Sequence, residues 1–124
     1  MRGQLAVIVT AVALAGCASA GGFPKTLPME ADNTIAMATQ AIADAQSAGA
    51  DSLATSMLIN AKAHLDEAQK AHISRKPDQA ALFARESLAD ARLARVTAQR
   101  MAAERSQAAA QSALQALPPN GGDR

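Results

Sequence analysis

Between residues 34 and 117 apolar side chains return every three or four positions, the period of one buried helical face. In the first segment Ile35, Ala38, Ile42 and Ala45 are spaced three, four and three apart, which predicts a helix over 34–48. Asp32, Asn33 and Thr34 stand before it, and each can accept from the free N–H groups of a helix start. Gly49 follows and suits the left-handed position that ends a helix. The second stripe is Ala54, Leu58, Ala61, Leu65 and Ala68, widened by Leu53 and Met57. It predicts a helix over 52–74 that opens within ADSLATS and fades at ISRK. On its outer face Lys62, Asp66 and Lys70 stand four apart and can pair.

Pro77 reads as the first residue of a third helix, where its missing N–H costs nothing. Asp78 adds negative charge at the positive end of the helix dipole. Neither Gly nor Pro interrupts 77–116, so this helix runs roughly 60 Å at 1.5 Å per residue. Its apolar positions form two rows: Ala81, Ala84, Leu88, Ala91, Ala98, and Leu82, Ala89, Leu93, Val96. Two rows predict two packed neighbours. The short connections require antiparallel neighbours. The expected fold is therefore all-α, an antiparallel up-down-up three-helix bundle spanning 34–117 with an over-long third helix. Its overhang, SQAAAQSALQAL, has no charge after Arg105 and carries Ala110, Leu114 and Leu117 on one side. Residues 118–124 read as a disordered tail.

Composition sharpens this picture. The chain is 49% hydrophobic but only 2% aromatic, without Trp or Tyr, and alanine supplies most of the apolar count. Alanine favours helix because it loses no side-chain entropy on ordering, yet it buries little area per contact. Long helices around a thin, marginally stable core are expected. The formal net charge of +1 gives none of the basic excess typical of nucleic-acid binding.

The charges are unevenly placed. From Glu30 to Asp51 there are four acids and no Lys or Arg. The third helix carries Arg85, Arg92, Arg95, Arg100 and Arg105. Of these, Arg85, Arg92 and Arg100 share one side of the wheel. With Leu114 and Leu117 they are the candidate interaction surface, and Asp44 is expected near Arg85 or Arg92. His64 and His72, the only histidines, are eight apart and about 12 Å apart along a helix, too far for a metal pair on one helix. Asp66 and Glu67 beside His64 have no nucleophile with them. There is no phosphate-binding glycine loop and no G-x-S-x-G. No catalytic residue, no metal, no small-molecule substrate and no cofactor beyond a covalent lipid is expected.

The N-terminal stretch supplies an address. MRGQ is short and basic, and LAVIVTAVALA is an uncharged run of eleven residues, too short to span a bilayer. With the small residues that follow, this is the layout of a secretory signal over 1–16. Leu14, Ala15, Gly16 and Cys17 resemble the lipobox of bacterial lipoproteins. The resemblance implies cleavage before Cys17 and a diacylglycerol on its thiol. Two or three acyl chains hold a protein on a bilayer where one holds it marginally. The alternatives are an ordinary signal peptide with an incidental Cys17, or a free thiol. No Asp follows Cys17, which in the sorting rule familiar from enteric bacteria points to the outer membrane, facing the periplasm. Residues 17–33, with two adjacent Gly and two Pro, read as a flexible tether.

The segment AIADAQSAGADSLATSMLINAKAHLDEAQKA, 41–71, resembles the bacterial envelope family known as domain of unknown function 4398, as does PDQAALFARESLADARLA, 77–94. The likeness covers about residues 34–105. Thr55 stands where the family usually has Pro, so the start of the second helix is less sharply fixed. The family implies a helical lipoprotein and supplies no catalytic residues. Some members add an OmpA-like peptidoglycan-binding domain, which this sequence does not show, so no wall-anchoring role is inherited. The expected function is a non-enzymatic, membrane-anchored interaction or scaffold module, with a protein partner or self-association through the third helix. The alternatives are a passive envelope spacer and a pilotin-like or chaperone-like escort.

Overall fold

The computed structural model describes residues 27–118. The signal segment with its lipobox, residues 17–26 of the tether, and 119–124 of the tail lie outside the described residues. The described chain is all-α, with four helices: α1 (Pro28–Ser47), α2 (Ala50–Leu53), α3 (Thr55–Ile73) and α4 (Pro77–Gln115).

Helix α1 starts six residues before the expected point, which corrects the tether boundary at 33. Pro28 sits in its first turn and Glu30 supplies the favourable negative charge there. Ala31 is fully buried in a cluster with Ala71, Ala80 and Ala81, so packing rewards the extra turn. Asp32, Asn33 and Thr34 therefore lie inside the helix. The Thr34 hydroxyl donates back to the Glu30 carbonyl at 2.8 Å instead of accepting at a cap.

The expected second helix is divided. Gly49 adopts φ 84°, the left-handed conformation that turns the chain out of α1 and into the single turn of α2. Ala54, at φ −143° and ψ 40°, then breaks the helical path before α3. Thr55 is the first residue of α3, a position that accommodates proline without losing an intrahelical bond. At the other turn Arg75 takes φ 57°. Its N–H donates to the His72 carbonyl at 2.9 Å, and that of Lys76 to the Ala71 carbonyl at 3.0 Å. This paired closure satisfies the last carbonyls of α3 even without glycine.

The core is built almost wholly from methyl groups. Among the described residues, the buried apolar ones are fifteen alanines with Ile42 and Leu58. One cluster gathers Ile42, Leu58 and Ala61 with Ala91, Ala94 and Ala98, with Leu53, Met57, Leu65 and Leu88 half-buried around it. A second holds Ala31, Ala71, Ala80 and Ala81 under Ile35 and Phe83. Small side chains let helix backbones approach closely. Ser87, the one buried polar residue among those described, exploits that approach: its hydroxyl donates across to the Ala61 carbonyl at 2.7 Å.

The first row on α4 holds, with Ala81, Ala84, Ala91 and Ala98 buried and Leu88 half-buried, but the second row needs correcting. The buried positions are Ala81 together with Ala80, Ala84, Ser87, Ala91, Ala94 and Ala98, and the last six keep an unbroken 4-3-4-3-4 spacing. The proposed second row faces out: Leu82, Leu93 and Val96 are 53%, 52% and 55% exposed, and Ala89 is exposed too. Small side chains win the inner face because only they permit the close approach, which leaves the bulky ones outside.

Candidate functional site

Cross-helix pairs fix how the faces of α4 are presented. Glu30 of α1 pairs with Arg85, and Asp44 of α1 lies 3.9 Å from Arg95. Both sets rise along the chain, so α1 and α4 run in the same sense, and α3, whose start clusters with Ala91–Ala98 and whose end clusters with Ala80 and Ala81, runs against them. Asp44 thus pairs with Arg95, not with the expected Arg85 or Arg92. Arg100 is taken by Glu104 of its own helix, at 2.8 Å. Of the three arginines read as a stripe, two already have carboxylate partners. Arg92 lines a crevice of about 280 Å³ between α1 and α4, over Met37, Ala41 and Leu88. These pairs are exposed, so each is worth only about 0–1 kcal/mol.

The histidines also find partners across helices. His64 Nδ1 lies 2.9 Å from the Asp90 carboxylate and Nε2 is 3.9 Å from Glu86, both on α4. Asp66 and Glu67, the neighbours noted in the sequence, instead hold Lys70 at 2.6 and 3.0 Å. The hydrogen bonds that the Lys70 ammonium donates to Asp66 and then to Glu67, with the negative charge of both, raise it above the usual lysine range. Lys62 reaches Asp51 at 3.7 Å and does not join that pair. His72 lies 3.2 Å from Asp32. Among the described residues no group of three metal-ligating side chains converges, and no helix is long and apolar enough to cross a membrane.

The most extended free surface is the distal part of α4. Every residue from Met101 to Gln115 is exposed, although helical hydrogen bonding continues to the end. These fifteen residues project about 22 Å beyond the last buried contacts. Leu114 is 68% exposed, and Leu117, two residues past the helix, is 65% exposed. The candidate residues therefore do not form one site. Arg85 and Arg92 lie beside α1, Arg100 lies at the root of the overhang, and Leu114 and Leu117 lie at its tip. Sequence reasoning missed that Leu82, Leu93 and Val96 face solvent. The uninterrupted small-residue spacing from Ala80 to Ala98 was the signal that could have found it.

No curated protein and no solved structure matches the chain. A family model described as Domain of unknown function (DUF4398) matches residues 33–110, which takes in α1 from its sixth residue, α2, α3 and all but the last five residues of α4. With most of the chain inside that match, this protein belongs to the DUF4398 family.

Proposed function

We propose that this protein is a non-enzymatic lipoprotein of the bacterial envelope, anchored through Cys17 at the outer membrane. In this reading the long helices form an up-down-up module that presents the free end of α4 to another envelope component or to a second copy. The observation that carries it is the overhang: Met101–Gln115 is helix in which every residue is exposed, and it packs against no other helix among the described residues. An isolated helix of this length is marginal in water, since helices draw most of their stability from packing one face. A partner that covers Ala110, Leu114 and Leu117 supplies that packing. The anchor rests on Leu14-Ala15-Gly16-Cys17 behind the apolar run.

Crosslinking in the native membrane, with the chain intact or lacking residues 106–124, tests the reading. The expected result is an adduct that forms with the intact chain and is lost on truncation. An adduct pattern indifferent to truncation would refute the assignment to α4. A second reading, an escort that carries another envelope protein, is favoured by the exposed row of Leu82, Leu93 and Val96. It predicts adducts through probes beside Leu93 in place of probes near Leu114.

A further inference from the structure

The end of the molecule where α1 begins and where α3 turns into α4 differs chemically from the opposite end. Leu27 and Met29 are 65% and 68% exposed, and Ile73, at 80%, is the most exposed of the large apolar residues described. Beside them the turn presents Arg75 and Lys76, and neither takes part in an ion pair among the described residues. The acids nearby are engaged: Glu30 by Arg85, Asp32 by His72, Asp66 and Glu67 by Lys70. Asp78 is likewise not free. Pro28, Ile73 and Pro77 line an open, largely apolar hollow of about 560 Å³. At the opposite end the α1–α2 turn offers Ser47, Gly49, Asp51 and Ser52.

We infer that this end is a docking tip for an anionic lipid surface, the same bilayer that holds the anchor. The inference rests on the anchor reading above. Two independent features select a bilayer as the occupant. Apolar side chains flanked by unpaired cations are the pattern that rests at a headgroup boundary, with the chains in the acyl edge and the charges among phosphates. The chain also enters the fold here: nine residues lie between Cys17 and Leu27, and these ten residue steps span at most about 36 Å. Docking at this end points α4 away from the membrane, because α4 starts beside the tip and runs past the opposite end. The tip thus gives the overhang a fixed direction and height, where a tether alone would leave it free to tumble.

The test uses the full, natively processed chain in vesicles of phosphatidylcholine with phosphatidylglycerol, carrying a fluorescent probe on Ser74→Cys or Ser52→Cys and a quencher fixed in the lipid phase. An acylated Cys17 cannot take the probe, so the unsubstituted chain reports on the anchor separately. The expected result is an unlabelled parent, a quenched probe at position 74 and an unquenched probe at 52. Arg75→Ser with Lys76→Ser lowers the docked-to-free ratio about thirtyfold, roughly fivefold per cation, while the protein stays on the vesicles. A vesicle-bound protein with a wet probe at 74, or with both probes quenched, overturns the docking tip and spares the anchor. A parent that labels at Cys17 and leaves the vesicles overturns the anchor, and the tip with it.

Discussion

The two leucines Leu58 and Leu93 test the division of the molecule into a methyl-built core and an uncovered outer row. Leu58 is 2% exposed and sits in the cluster of Ile42, Ala61, Ala91 and Ala94. Leu58→Ala removes three buried carbons, about 2.4 kcal/mol at roughly 0.8 kcal/mol each. The cavity adds to this, because the alanine methyls among its neighbours, Ala61, Ala91 and Ala94, have no rotamers with which to fill it. A total of about 3–4 kcal/mol follows, within the range for buried leucines. Domains of this size have only about 5–10 kcal/mol to lose, so the change is large. Leu93 is 52% exposed, and alanine is the better helix former, so Leu93→Ala is expected within about 0.5 kcal/mol of neutral. Urea unfolding followed by far-ultraviolet circular dichroism reads both. A loss below about 1 kcal/mol at Leu58, or a loss at Leu93 equal to that at Leu58, would refute the assigned faces.

Three further outcomes are expected. Gly49→Ala meets no obstruction, since the nearest atom to an added Cβ is Leu53 Cδ1 at 3.7 Å, so its cost of about 1 kcal/mol in the same urea assay is the penalty of φ 84° alone. Ala91→Leu forces extra carbons between closely approached helices and costs about 1–3 kcal/mol, whereas Ala103→Leu on the free end of α4 leaves the midpoint unchanged. Removing residues 106–124 lowers the helical signal but leaves the urea midpoint where it was, because the described residues removed are exposed; a drop in midpoint would mean that they pack on the core.

The alanine core links stability to function. Each methyl contributes little, so the three long helices cohere by close approach along their length. Where α1 and α3 run out, α4 has nothing to approach, and its last fifteen helical residues are left available. Ion pairs such as Glu30–Arg85 and Asp44–Arg95 lie at the rim and add register more than stability.

The sequence by itself determined the all-α class, the turn at Gly49, the start of α4 at Pro77, the length of that helix and membership of its family. These are local properties: alanine propensity, glycine at positive φ, proline in a first turn and an uninterrupted periodic run. The inner stripes of α1 and α3 were legible for the same reason, since one face of each is clearly apolar. Only the tertiary structure decided the rest. It began α1 at Pro28, because Ala31 gains burial against residues forty or more positions away. It split the second helix at Ala54 and paired Asp44 with Arg95. It also turned the leucine row of α4 outward. Hydropathy ranks leucine above alanine for burial, but between tightly packed helices the separation of the backbones decides, and that separation exists only once the helices have met.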